Sequence, residues 1–219
     1  MRGPLQNRVE PGGKIVATRS RYGEPTGRMG NRGVLHSARN RQILRPFRSK
    51  AWLICCLQFK GRHREVMAPN RYTELFFLDD FVALSAGHRP CAHCRRPEFK
   101  SFAENWARCH HHHHHRHHHR WTAREIDELL HEQRLAGPRP LTSPLPDGAM
   151  IRCCEDSYLL WQGKYHRFAH EGYDRRVDVD DLDPANCEVL TPPSTLKVLQ
   201  AGWRPDLPAP HSTASSCCC

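Results

Sequence analysis

The chain has 219 residues, 38% of them apolar, with a formal net charge of +10 and 11 cysteines. That length suits one large domain or two small ones, and no window reaches the roughly 18 apolar residues of a membrane span. The first residues lack the apolar stretch of a secretory signal, so we expect a cytoplasmic protein with no membrane partner. In a reducing compartment, closely spaced cysteines indicate metal or redox sites rather than disulfides.

The positive charge is concentrated at the beginning of the chain. Residues 1–50 contain twelve Lys and Arg but only two acids, Glu10 and Glu24, whereas charges in the remainder balance. A basic arm ahead of a neutral body is typical of binding to a polyanion, most simply nucleic acid. A solvated leader with no ligand would have the same composition.

In chain order, residues 1–30 are rich in Arg, Gly and Pro and predict a largely irregular basic arm with one strand at 14–18. Residues 31–108 predict a zinc-binding α+β module. Within it, the apolar run 51–59 and residues 63–67 form a predicted hairpin about a turn at 60–62. Residues 72–78 predict a further strand.

Local signals then predict three helices and an insert. Asp79 or Asp80 caps a short helix that ends at Gly87, and Pro97 opens a second helix with aromatic residues at helical spacing. Residues 109–120 are a His-rich insert that either binds metal loosely or is merely low-complexity sequence. Residues 121–137 predict a third helix, which Thr122 begins with a capping box.

The last third of the sequence predicts a small β-rich part. Residues 138–148 form a Pro-rich linker, residues 149–210 contain a meander of short strands with an acidic loop at 174–183, and residues 211–219 are a tail. The segment Leu84–Pro90 is echoed at Leu199–Pro205. Each copy predicts a two-turn helix ended by a glycine, and because the second copy lacks cysteines, this helix ending needs no metal.

Cys91 and Cys94 are separated by two residues, the spacing of a zinc knuckle. Two thiolates in such a turn can bind one tetrahedral zinc ion. Cys94 also precedes the helix opened by Pro97, whose positive end favours thiolate. A redox pair is the main alternative, but the motif does not follow the βαβ pattern of thioredoxin-type pairs.

A closed structural zinc site needs four ligands, so two more must come from elsewhere. The predicted hairpin offers Cys55 or Cys56, and His63 across its turn. Either cysteine could instead be a small buried apolar residue. His93 lies inside the knuckle and is expected to face solvent.

The stretch Phe76–Arg95 resembles the second half of the zinc-binding domain of the Ada DNA-alkylation-repair protein. That domain ends in a phenylalanine strand, a short helix and an Ala-Gly-Phe-Arg-Pro-Cys-X-X-Cys knuckle. The resemblance implies that Cys91 and Cys94 are zinc ligands near DNA phosphates. The cysteine pair that the Ada domain carries shortly upstream, which includes its methyl acceptor, has no counterpart in this chain.

Most of the chain also resembles an uncharacterised bacterial protein family of about this length, which implies no activity. The segments that carry this resemblance include the knuckle and are otherwise Leu5–Val9, Met29–Gly33, Trp52–Cys56, Phe59–Arg62 and Tyr72–Asp79.

These observations favour a zinc-stabilised nucleic-acid-binding protein, with DNA preferred over RNA. The residues expected to contact phosphates beside the knuckle are Arg89, Arg95, Arg96 and Lys100. One alternative is a zinc-dependent enzyme acting on nucleic acid or a small substrate, and another is an adaptor with a purely structural zinc ion. Nothing in the sequence indicates the oligomeric state.

Overall fold

The structure, a computed structural model, describes residues 5–19, 27–61, 65–110 and 121–205. These residues form helices and two six-stranded sheets, which confirms the α+β class. The first sheet has the strand order β2-β1-β5-β3-β4-β6. Its strands are β1 (Leu5–Val9), β2 (Ile15–Arg19), β3 (Arg28–Asn31), β4 (Leu53–Cys55), β5 (Leu75–Phe77) and β6 (Arg89–Pro90).

The beginning of the chain belongs to this sheet. β1 and β2 form an antiparallel hairpin, and β1 also runs parallel to β5, with Arg8 opposite Phe76. Val9 is buried, and the Asn7 amide donates to the Glu74 carbonyl at 3.0 Å. The predicted strand at 14–18 is confirmed as β2. The prediction that the rest of the arm is irregular is wrong for Leu5–Val9, because β1 is ordered by pairing with β2 and with β5, a strand far along the chain.

The predicted hairpin at 51–67 is also wrong. β4 pairs antiparallel with β3 and parallel with β6. Residues 65–67 form no strand, because Met67 has a left-handed backbone and its N–H donates to the buried Glu74 carboxylate at 2.8 Å. Residues 62–64, which cover the end of the predicted turn and the start of the predicted second strand, lie outside the described part of the chain.

The helices begin where the sequence signals place them. Asp79 caps α1 (Asp80–Ser85), and its side chain accepts a hydrogen bond from the Val82 N–H. α2 (Arg96–Cys109) carries a proline in its first turn, and α3 (Ala123–Ala136) begins with the predicted capping box between Thr122 and Glu125. The last helix is α4 (Pro193–Gln200).

The two repeated helix endings have the same geometry. Gly87 and Gly202 have φ of +81° and +91°. The N–H of the following residue, His88 or Trp203, donates back to a carbonyl five residues earlier in each copy. This is a Schellman ending, in which only glycine adopts the left-handed position without strain, so the repeat prediction is confirmed.

The second sheet has the order β11-β10-β9-β8-β12-β7. Its strands are β7 (Arg139–Pro140), β8 (Met150–Cys153), β9 (Asp156–Trp161), β10 (Lys164–Ala169), β11 (Gly172–Asp178) and β12 (Cys187–Val189). The expected meander is present. The acidic loop expected at 174–183 is wrong in its first part, because β11 continues to Asp178 and its Asp174 pairs with Arg167 on β10.

One apolar core joins the predicted N-terminal module to the β-rich part. The same cluster of buried side chains reaches from Val9 to Trp203. The ring of Phe81 on α1 lies 5.3 Å from that of Trp161, and the ring of Phe102 on α2 lies 5.1 Å from that of Trp203. Among the described helices, none is long and apolar enough to cross a membrane.

Candidate metal centre

Three cysteines converge at one end of the first sheet. The sulfur atoms of Cys55, Cys91 and Cys94 all lie within 4.8 Å of one another. Cys55 and Cys91 are buried and Cys94 is partly buried. The structure thus brings the two knuckle cysteines together with Cys55, one of the two neighbouring cysteines considered as further zinc ligands.

Strand register explains why Cys55 joins the knuckle. β4 and β6 are parallel, with Ile54 opposite Pro90, so the next residue of each chain segment is a cysteine. The Cys91 N–H donates to the Ile54 carbonyl at 2.9 Å and holds the two segments together at this point. The knuckle turn then brings Cys94 back before α2 begins.

Hydrogen bonds within the cluster favour one thiolate. Thiol hydrogen bonds from Cys55 and Cys94 lower the pKa of Cys91, and the N–H of His93 donates to the Cys91 sulfur at 3.4 Å. The same contacts, together with burial, raise the pKa of Cys55. One negative charge is therefore well stabilised, whereas a second or third would be repelled unless a cation bound the sulfurs.

The donor set and spacing fit a thiophilic metal ion. A tetrahedral zinc ion with Zn–S bonds of about 2.3 Å holds its sulfurs about 3.8 Å apart. That separation is within the 4.8 Å that bounds the three sulfur atoms. Backbone N–H groups directed at the sulfurs also belong to the surroundings of metal-bound thiolates, since they offset part of the negative charge.

The other candidate ligands are placed differently. The Cys56 thiol lies near the Cys94 carbonyl, to which it donates at 3.4 Å, and its sulfur is not part of the cluster. His93 is exposed, and its ring packs against Phe59 with 5.2 Å between centroids. His63 lies outside the described residues, and so does most of the His-rich insert.

Two of the four predicted phosphate contacts are instead buried in ion pairs. Arg89 is 3% exposed and donates two hydrogen bonds, at 2.8 and 2.7 Å, to the carboxylate of Asp127 on α3. Arg95 is 2% exposed and pairs with Asp80 of α1, which is itself buried. The prediction that these two arginines contact nucleic acid is wrong for this fold, because their guanidinium groups bind carboxylates inside the protein.

Arg96 and Lys100, in contrast, are exposed on the first turns of α2 beside the knuckle. A second basic surface lies within residues 1–50, the basic stretch that the sequence predicts to bind a polyanion. It is the loop at residues 39–50, in which Arg39, Arg45, Arg48 and Lys50 are exposed. The signal for it is the absence of any Asp or Glu between Glu24 and Glu65.

Comparisons of the chain with known protein families, with curated proteins and with solved structures found no match. The resemblance to the Ada zinc-binding domain therefore stays a prediction. The chemistry of the site has to be inferred from its own side chains.

Proposed function

We propose that the protein is a zinc-stabilised nucleic-acid-binding protein. The observation that carries the proposal is the cluster of Cys55, Cys91 and Cys94 at the start of α2, where Arg96 and Lys100 face solvent. The cluster supplies three soft ligands for zinc, and the neighbouring cations supply attraction for phosphate.

Zinc suits this place because it would hold separate segments together. Cys55 ends β4, and the knuckle joins β6 to α2, so a shared ion would fix the helix against the sheet edge. The eight cysteines in the described part of the chain are all free thiols, which agrees with a reducing, cytoplasmic location.

The basic loop strengthens the nucleic-acid proposal. Of the five exposed cations of this loop, Arg41 pairs with Glu65. Among the described residues, no carboxylate pairs with the other four, which are Arg39, Arg45, Arg48 and Lys50. Unpaired, solvated cations on a loop are free to contact phosphates, and such contacts carry little sequence information. DNA is favoured over RNA only through the resemblance to the Ada domain.

Cobalt substitution tests the metal site. Co²⁺ bound by thiolates gives a sulfur-to-metal charge-transfer band that the histidine tract cannot produce. We expect this band in the wild type and in Cys56→Ser, and its loss in Cys55→Ser, Cys91→Ser and Cys94→Ser. An unchanged band in Cys55→Ser, or its loss in Cys56→Ser, would reject the assignment of Cys55.

A charge-matched pair of variants tests nucleic-acid binding. One variant replaces Arg39, Arg45, Arg48 and Lys50 with Gln, and the control replaces Arg124, Lys164, Arg175 and Lys197, four exposed residues elsewhere. The first should bind DNA more weakly and with a smaller salt dependence, because its log–log slope falls by about 0.9 for each phosphate that it no longer neutralises. The control should bind like the wild type in an anisotropy titration.

Equal weakening in the two variants would mean that only net charge matters. No binding of single- or double-stranded DNA or RNA by the wild type at micromolar concentration would remove this function and leave an adaptor with a structural metal.

The second candidate is a zinc-dependent enzyme. Three cysteine sulfurs cluster among the described residues, and a catalytic zinc site with three protein ligands keeps a fourth position for water or substrate. His63→Ala distinguishes the two cases. An unchanged Co²⁺ spectrum in this variant would favour an open position, whereas a changed ligand field would show that His63 closes the site.

A further inference from the structure

A further pair of cysteines lies in the second sheet, outside the candidate metal centre. Cys153 ends β8 and Cys187 begins β12, and the two antiparallel strands place these residues directly opposite each other. Cys153 is 7% exposed and Cys187 is 5% exposed, and both belong to one cluster of buried side chains. Their sulfur atoms therefore lie on the same face of the sheet.

The backbone hydrogen bonds show how closely the two residues approach. The N–H of Cys154 donates to the Asn186 carbonyl at 3.4 Å, so these two neighbours form a hydrogen-bonded pair. Hydrogen-bonded and non-hydrogen-bonded pairs alternate along antiparallel strands, which makes Cys153 and Cys187 a non-hydrogen-bonded pair. In such a pair the Cα atoms lie about 4.5 Å apart and the side chains are at their closest.

That separation suits a disulfide bond. Disulfides join Cα atoms that are roughly 4.4–6.8 Å apart, and geometry near a limit of this range makes the bond easier to reduce. Cys153 and Cys187 are both free thiols. Among the described residues, no third metal ligand converges on them, so formation of an S–S bond is the chemistry open to this pair.

The two thiols differ in how they meet solvent. Burial, and after it the neighbouring Cys153 thiol, raises the pKa of Cys187 to about 12, and the Cys187 thiol donates to the Asp183 carbonyl at 3.2 Å. Cys187 is therefore protonated at neutral pH. Cys153 adjoins the exposed turn at Cys154 and Glu155, so a reagent from solvent reaches Cys153 first.

We propose that Cys153 and Cys187 form a reversible disulfide by exchange with a small-molecule disulfide such as glutathione disulfide. The Cys153 thiolate attacks one sulfur of this oxidant, whose S–S bond breaks and releases one glutathione. The Cys187 sulfur then gives up its proton, attacks the Cys153 sulfur and displaces the second glutathione. The two protein thiols thus lose two electrons and two protons, which appear in two molecules of reduced glutathione.

The bond would close the end at which β8 and β12 diverge. β12 begins directly after residues 179–186, in which Asp180, Asp181 and Asp183 are exposed, so oxidation would fix this acidic segment beside the turn that follows β8. Disulfides in a reducing compartment are usually transient and serve catalysis or redox sensing. This pair is a redox-sensing site that is independent of the cysteine cluster at Cys55 and of the nucleic-acid proposal.

Redox equilibration of the full chain tests the proposal. The folded protein is held in buffers with an increasing share of glutathione disulfide, and its free thiols are then trapped with acid and N-ethylmaleimide. Trypsin places Cys153 in the peptide 153–164 and Cys187 in the peptide 177–197. These two peptides should become linked saturably as the share of oxidised glutathione rises, and they should separate again in a large excess of reduced glutathione. Because the linked peptides identify the bond, oxidation at the candidate metal centre cannot be mistaken for it.

Matched variants identify the sulfurs. Cys153→Ala and Cys187→Ala should each lose the linked pair of peptides, whereas Cys154→Ser should keep it with the midpoint of the wild type. The measurement on the unaltered chain decides the question even where a variant does not fold, since fragmentation of the linked peptides distinguishes Cys153 from Cys154. No linked pair in glutathione disulfide alone, a link through Cys154, linkage only after unfolding in urea, or a link that survives excess reduced glutathione would overturn the proposal.

Discussion

Two arginines beside the knuckle stabilise the fold through ion pairs inside the protein and are not available to bind a ligand. Arg89 links the start of β6 to α3 through Asp127, and Arg95 links the start of α2 to α1 through Asp80. Removing one partner of a buried ion pair leaves the other charge buried without a counter-ion, so such residues tolerate replacement poorly. Variants meant to probe nucleic-acid contacts should therefore change Arg96 and Lys100 and leave these arginines intact.

Asp79 should make stability depend on pH. Burial raises its pKa to about 6, against the hydrogen bonds that it accepts from Val82 and Tyr173. The unfolded value is about 3.9, so the folded state holds the proton more tightly. The stabilisation from this group is complete below about pH 4 and is lost as pH rises through about 6.

Asp79→Asn removes this titration and keeps an oxygen to cap α1. Relative to the wild type, the variant should gain about 2 kcal/mol of unfolding free energy between about pH 4 and 7. Urea denaturation at several pH values measures this difference. Parallel pH profiles for the two proteins would show that Asp79 ionises normally in the folded state.

At the level of elements, the two repeated helix endings allow a direct comparison. Gly202→Ala should cost about 1 kcal/mol from backbone strain alone, because no atom lies within 4 Å of the added Cβ. Gly87→Ala should cost more, since its Cβ would meet Cγ and Cδ of Arg134 at 2.6 Å. Chemical denaturation of both variants checks the order. Equal losses would mean that the Arg134 side chain moves aside without cost.

Elements with local causes could be predicted from the sequence. The capping box of Thr122 and Glu125 spans four residues, and the glycine that ends α1 lies within its own turn. Pairing between distant strands could not be predicted. β1 pairs with β5 and β4 with β6 through contacts that no sequence period encodes, so the predictions of an irregular segment at Leu5–Val9 and of a hairpin at 51–67 are wrong.

The candidate metal site, too, could be predicted only where its residues are close in sequence. The spacing of Cys91 and Cys94 predicts two ligands that the structure brings together. The choice between Cys55 and Cys56 depends on the register of β4 with β6, which the sequence leaves open. The burial of Arg89 depends on Asp127, a residue on a helix that follows the His-rich insert.

For the whole molecule, the shared core predicts a single unfolding transition. α2 starts at the knuckle and packs on α4, so a metal ion at one end of the molecule would stabilise both sheets through one core. Chelation should therefore lower the stability of the entire chain, by up to about 10 kcal/mol at saturating metal. Far-UV and near-UV circular dichroism should report coincident midpoints with and without metal. Separate midpoints would show that the two sheets unfold as independent units.

The strand order of the first sheet also has a consequence for biosynthesis. β1 is translated long before its partner β5, and Cys55 before Cys91. Until residue 94 has been made, the Cys55 thiol has no cluster to join and is open to oxidants and to competing metals. Trp203, which packs on Phe102 in the core, is added later still. The nascent chain thus carries unpaired strand edges for most of its synthesis, and chaperone and reductant supply should decide how much of it reaches the folded state.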